Sequence, residues 1–206
     1  MKTIVIFDLD GTLVDSGDNI GESINYARAR KGLPPLKRDE IIAKVNALTF
    51  ESAKFFYGEN AGEADHKIFE AHYEKACLNN LKLYDGITDL LKALSDRGVK
   101  MAVATNATSG FARIMLDYAG VSRYFAAMVG ADCVANPKPA PDMLYLTLDR
   151  LGGASKEAIF LGDSLKDMKA ARAAGITGVF AEWGYGVKNA LAERSIQKPI
   201  EALEAL

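Results

Sequence analysis

Four short apolar runs constrain this chain more than any other feature: residues 3–7, 100–104, 158–161 and 177–181. Each is rich in strand-favouring residues and stops at a polar or glycine-containing turn, the pattern of a parallel strand buried on both faces. A weaker run, 126–129, lies between the second and third. Helix-length apolar periodicity fills most of the intervals, at 87–97, 109–119, 142–151 and 165–174. Strand alternating with helix predicts a parallel α/β sheet.

One interval breaks the rhythm. From 15 to 83 the chain carries helical patterning without a convincing strand, at 19–31, 39–47, 50–56 and 63–79, punctuated by Gly32-Leu33-Pro34-Pro35 and Gly58-Glu59-Asn60-Ala61-Gly62. The expected organisation is therefore core over 1–14, an inserted helical cap over 15–83 and the rest of the core over 84–206. Four helices laid on one continuous core are the alternative. A length of 206 residues suits one main core with an appendage, and 49% apolar with 25% charged residues is ordinary for a globular fold.

Composition also excludes partners. A net charge of −2 provides no field to hold a polyanion, so no nucleic-acid partner is expected. No run approaches the ~20 apolar residues of a membrane span, and the apolar stretch Ile4-Val5-Ile6-Phe7 is too short for a signal peptide. Cys77 and Cys133 are far apart with no CxxC pair, which suits a reducing cytoplasm. A monomer or homodimer is expected. His66 and His72 are six apart, not the i, i+4 spacing of a shared metal face.

In an open parallel sheet, ligands bind beyond the carboxyl ends of the strands. The first run ends in Asp8-Leu9-Asp10-Gly11-Thr12, two carboxylates on one side of an extended segment before a glycine turn. Such a pair can hold one hard cation, or can simply be a turn. The second run ends in Ala104-Thr105-Asn106, where a hydroxyl and backbone N–H groups suit either a phosphate oxygen or a plain helix cap. Lys138 stands among Pro137, Pro139 and Pro141; it can neutralise a carboxylate and a phosphate together, or be solvated. The third main run ends Gly162-Asp163-Ser164-Leu165-Lys166-Asp167, a second carboxylate pair or a capped helix with Asp167 on its surface. Taken together, consecutive strand ends carry complementary groups that metal-assisted phosphoryl transfer needs.

The ordered set Asp8-Leu9-Asp10-Gly11-Thr12, Thr105-Asn106, Lys138-Pro139 and Gly162-Asp163-Ser164 with Asp167 resembles the haloacid dehalogenase superfamily over almost the whole chain. Leu13-Val14-Asp15-Ser16, the stretch Ala170-Ala171-Arg172-Ala173-Ala174-Gly175 and Trp183-Gly184-Tyr185-Gly186 narrow the resemblance to its phosphoglycolate phosphatase-like group. Two positions depart from that group: Tyr84-Asp85-Gly86 lacks the usual proline, and Asn46 stands where a cap loop commonly has glycine.

The resemblance implies a Rossmann-like core with a small helical cap and magnesium-dependent hydrolysis of a small phosphate monoester. It implies Asp8 as nucleophile, Asp10 as general acid and base, Thr105, Asn106 and Lys138 as phosphate binders, and Asp8, Asp163 and the Asp10 carbonyl as metal ligands. Asp167 would act through water or from behind the direct ligands. Lys44, Asn46 and Thr49 in the cap, with Trp183 and Tyr185 after the last strand, are the candidates for selectivity. A dehalogenase has no use for Asp10. A mutase of the β-phosphoglucomutase type shares Lys138-Pro139-Ala140-Pro141-Asp142 but usually opens its later acidic motif with glutamate, unlike Gly162-Asp163. A phosphoaspartate receiver carries neither the inserted cap nor the role of Asp10.

Overall fold

The computed structural model describes residues 2–45 and 52–206. Its contacts divide the chain into two compact units, one formed by residues 1–15 with 82–206 and one by 16–81.

The larger unit is a six-stranded parallel sheet. In chain order it contains β1 (Ile4–Phe7), β2 (Val14–Asp15), β3 (Lys82–Leu83), α5 (Ile87–Asp96), β4 (Lys100–Ala104), α6 (Ser109–Tyr118), β5 (Ala127–Val129), α7 (Asp142–Leu151), β6 (Ala158–Gly162), α8 (Leu165–Ala174), β7 (Thr177–Ala181) and β8 (Arg194–Ile196). Sheet order is β5-β4-β1-β6-β7-β8. β1 thus lies between β4 and β6, with Phe7 opposite Val103 on one side and Leu161 on the other. All four of its side chains are buried, as an inner parallel strand requires. One face of the sheet is covered by α7 and α8, whose Met143, Leu144, Leu148, Ala170 and Ala171 pack with Ile4, Ile6, Ala102 and Phe160. α5 lies against β4 and α6 against β5.

Three details depart from the sequence expectation. A two-residue antiparallel pair, β2 with β3, closes the ends of the interval in which no strand was expected, with Val14 opposite Leu83. β8 was not expected at all; of its residues only Ile196 is buried, so it gives almost no apolar signal. The closing 3₁₀ helix Pro199–Ala205, with Pro199 and Ala202 buried, also lies outside the helical segments named from the sequence above.

The smaller unit contains α1 (Gly17–Arg30), α2 (Arg38–Val45), α3 (Ser52–Tyr57) and α4 (Glu63–Ala76). Ile24, Ala27, Ile41, Phe56 and Tyr57 form its apolar centre. Arg28 is buried there and is satisfied by main-chain oxygens: Nε donates to Pro34 at 2.8 Å and Nη1 to Phe56 at 2.6 Å. His72 hydrogen-bonds Ser23 Oγ at 2.9 Å and stacks on Tyr26, so it serves the packing of this unit. Among the described residues no helix is long and apolar enough to cross a membrane.

Candidate active site

Asp8 follows β1 directly, and its backbone N–H still donates to Leu161 O at 2.8 Å, so the sheet carries the residue past its own edge. The chain then turns at Gly11, whose φ of 81° favours glycine. A Cβ at Gly11 would lie 2.4 Å from Asp163 Oδ2. Glycine is therefore required there twice over, by backbone angle and by the closeness of the β6 carboxylate.

Lys138 gathers the site. Its Nζ lies 2.7 Å from Asp8 Oδ1 and 2.6 Å from Asp167 Oδ1, with the Phe160 ring centroid 5.2 Å away. Asn106, at the end of β4, fixes the lysine main chain from both sides: Nδ2 donates to Lys138 O at 2.9 Å, and Lys138 N donates to Asn106 Oδ1 at 3.0 Å. The Asn106 carboxamide is thus engaged in presenting Lys138. Thr105 is buried, and its hydroxyl accepts from Ala107 N at 3.1 Å, which shapes the turn into α6.

Asp163 and Asp167 come from the end of β6 and the first turn of α8. Thr12 Oγ1 donates to Asp163 Oδ1 at 3.3 Å, and Tyr185 N donates to Oδ2 at 2.8 Å. Ser164 caps α8, accepting from Asp167 N at 3.3 Å. The same serine donates to Asp167 Oδ2 through N at 2.9 Å and through Oγ at 2.5 Å. The helix-cap reading of this motif holds for Ser164, whereas Asp167 is completely buried and not on the helix surface. Asp10 is half-buried beyond Asp8. Trp183 Nε1 donates to Thr12 O at 3.0 Å, and Tyr185 OH donates to Asp15 Oδ1 at 2.7 Å. Lys44 is exposed on α2, its Nζ 5.4 Å from the Phe55 ring centroid. Asn46 and Thr49 lie outside the described residues.

Asp8, Asp163 and Asp167 are 7%, 1% and 0% exposed, and buried Lys138 pairs with Asp8 and Asp167. Burial, and then the charge of Asp167, push the Asp8 carboxyl well above its ordinary value and that of Asp163 up to about 7. Burial works against the Lys138 ammonium, but Asp167 and Asp8 more than reverse this, so its pKa is raised. Carboxylate oxygens of Asp8, Asp163 and Asp167 lie within 4.8 Å of one another. An all-oxygen, net-negative cluster is the donor set that hard divalent cations take, and a bound cation reverses the upward pressure on these carboxyls. The residues present therefore fit magnesium.

Thr12's bond to Asp163, Ser164's bond from Oγ to the Asp167 carboxylate and Asn106's hold on the lysine backbone were not expected from the sequence, although Ser164 was a candidate cap. Thr12 and Ser164 stand inside the acidic motifs, which was the available signal.

Comparison with known proteins places the chain in a family. The family model of haloacid dehalogenase-like hydrolases matches residues 5–181. A phosphoglycolate phosphatase from Agrobacterium fabrum is 33% identical over 192 residues, spanning 90% of this chain and 82% of the relative. One from Rhodospirillum rubrum is 34% identical over 217 residues, spanning 100% and 86%. Among solved structures, a predicted phosphoglycolate phosphatase from Haemophilus somnus superposes with a TM-score of 0.86 at 25% identity, covering 99% of this chain and 97% of its own. A match that runs unbroken from β1 to the last residue of β7 takes in every strand end that contributes to the acidic cluster, and the chain belongs to the haloacid dehalogenase-like hydrolases.

Proposed function

We propose that the chain is a magnesium-dependent phosphatase that hydrolyses a small phosphate monoester through Asp8, with phosphoglycolate as the leading substrate. The observation that carries this reading is the buried cluster of Asp8 after β1 and Asp163 after β6 with Lys138, from the loop between β5 and α7, paired to Asp8. The phosphoglycolate phosphatases at 33% and 34% identity support the choice of ester.

A phosphate ester repels nucleophiles through its own charge, and its hydrolysis can require acceleration approaching ~10²¹-fold. Asp8 and Asp163, with the Asp10 backbone carbonyl, would hold magnesium, which when bound supplies neutralising charge to the phosphoryl oxygens. Lys138 adds its ammonium to the same task and keeps the Asp8 oxygen aimed. A carboxylate oxygen of Asp8 bonds to phosphorus as the ester P–O bond breaks, and Asp10 gives its proton to the departing alcohol oxygen. Asp10 then takes a proton from water as the water oxygen bonds to phosphorus. The Asp8–phosphorus bond breaks, inorganic phosphate leaves and the Asp8 carboxylate is restored. Asp167, with one oxygen on Lys138 and the other on Ser164, steadies the lysine. The unit over 16–81 is proposed as the cap that selects the ester and shuts out water during attack.

The test is phosphate release from a panel of phosphoglycolate, sugar phosphates, nucleoside monophosphates and pyrophosphate, with and without chelator. Turnover should require magnesium and favour phosphoglycolate, and Asp8→Asn should abolish it while leaving the unfolding midpoint in place. An Asp8→Asn protein that retains more than a few per cent of activity overturns the nucleophile assignment.

A further inference from the structure

Tyr185 lies in the loop after β7 and takes no part in the steps above. Its backbone N–H holds Asp163 Oδ2 at 2.8 Å, while its hydroxyl donates to Asp15 Oδ1 at 2.7 Å. The Tyr84 side chain hydrogen-bonds the same phenol. Asp15 is the last residue of β2, and Tyr84 directly follows β3, its N–H donating to Leu13 O at 3.1 Å. One residue therefore touches a carboxylate of the acidic cluster and both strands by which the chain enters and leaves the helical unit.

The loop has little freedom to slide. A Cβ at Gly184 would lie 2.3 Å from Asp163 Cβ, and one at Gly186 would lie 1.8 Å from Asp163 O, so the main chain is pressed against that residue. Trp183 is tied to Thr12 O at 3.0 Å, and Thr12 in turn holds the other Asp163 oxygen at 3.3 Å. A phenol has only two side-chain torsions and, when largely buried, keeps its hydroxyl partnered, so it transmits displacement better than a long flexible chain.

We propose that Tyr185 is a positioning residue that couples cation occupancy at Asp163 to the paired strands β2 and β3, an inference that rests on reading Asp163 as a cation ligand. A cation held by Asp163 would steady that carboxylate, whose Oδ2 holds the Tyr185 main chain, and the phenol in turn holds Asp15 and Tyr84. Such coupling is reciprocal: the factor by which the cation steadies the strands is the factor by which the tethered strands improve cation affinity.

The metal-free chain is titrated with magnesium chloride while the emission of Trp183, the single tryptophan of the chain, is followed. Amide hydrogen exchange over 13–15 and 82–84 is measured with and without magnesium. In the wild type, magnesium should slow exchange of both strands. Tyr185→Phe keeps the ring and the backbone N–H but loses the hydroxyl, and should abolish that slowing and weaken magnesium binding by about 5-fold, the low end of typical coupling. Asp15→Ala cuts the tether from its exposed end and should reproduce both changes, with the double variant no weaker than either single one. Magnesium-dependent protection that survives in both single variants overturns this inference alone. A wild type that shows no response to magnesium in either measurement overturns it together with the cation reading.

Discussion

Asp10 stands two positions beyond Asp8, past a bend at Leu9, and it is half-buried where Asp8 is buried. The difference suits their proposed tasks, since a nucleophile needs a fixed aim and a proton shuttle needs access to both the leaving oxygen and water. Asp10→Asn should therefore slow turnover of an ester with a poorly leaving alcohol by ~10²- to 10⁴-fold, and slow an activated aryl phosphate much less. Equal losses on the two, measured as kcat/KM, would remove Asp10 from the proton-transfer role. Asp8 and Asp163 were legible in the sequence because each stands at the end of an apolar run, and Lys138 because three prolines surround it. The residues that hold them were not. Thr12 reaches Asp163 across 151 positions, and Asn106 reaches Lys138 across 32, so these contacts exist only once strand order is known. Tyr185 was singled out among its glycines, but its pairing with Asp15 spans 170 positions and left no local trace.

Helix starts in the smaller unit use the same hydrogen-bonding chemistry without any catalytic task. Asp65, three residues past Gly62 at the head of α4, accepts from Gly62 N at 2.9 Å and pairs with Lys31 Nζ at 2.8 Å. The Lys31 hydrogen bond, joined by that of Gly62, outweighs burial and holds the Asp65 carboxyl below its ordinary value. A depressed folded-state pKa contributes stability that is present above the unfolded value near ~3.9 and is lost as pH falls through the folded value. Asp65→Asn should thus cost ~0.5–1 kcal/mol at neutral pH, typical of a carboxylate at a helix N-terminus. The gap from the wild type should close in thermal melts run below about pH 4. A gap that stays constant down to pH 2 would mean that the carboxylate charge is not what stabilises α4. Element by element, the sheet was readable wherever strands are buried on both faces, as β1, β4, β6 and β7 are. β2 and β3 escaped notice because two residues each give no periodicity to detect. β8 escaped because Arg194-Ser195-Ile196 buries a single side chain.

At the scale of the whole molecule, the proposed reading gives the acidic cluster only the phosphoryl group to hold, so discrimination among esters is assigned elsewhere in the chain. Substitutions at Lys44, Asn46 and Thr49 should change kcat/KM by different factors for different esters while leaving the magnesium concentration for half-maximal activity in place. A uniform loss across the panel would move selectivity to the Trp183–Tyr185 loop. The position of β1 has a further consequence, for synthesis rather than catalysis. Its two sheet partners are β4 and β6, so Ile4–Phe7 has no strand to pair with until residues 100–104 and then 158–162 have emerged. Residues 16–81 form a compact unit whose contacts are largely internal, so they need not wait for the later strands. At translation speeds of about 5–20 residues per second, β1 waits roughly 8 to 30 s for β6 while its apolar side chains stay open to chaperones. The nascent enzyme thus has the segment of its helical unit early and its acidic cluster late, and a chain truncated before β6 carries Asp8 on a strand that lacks one of its two sheet neighbours and lacks Asp163.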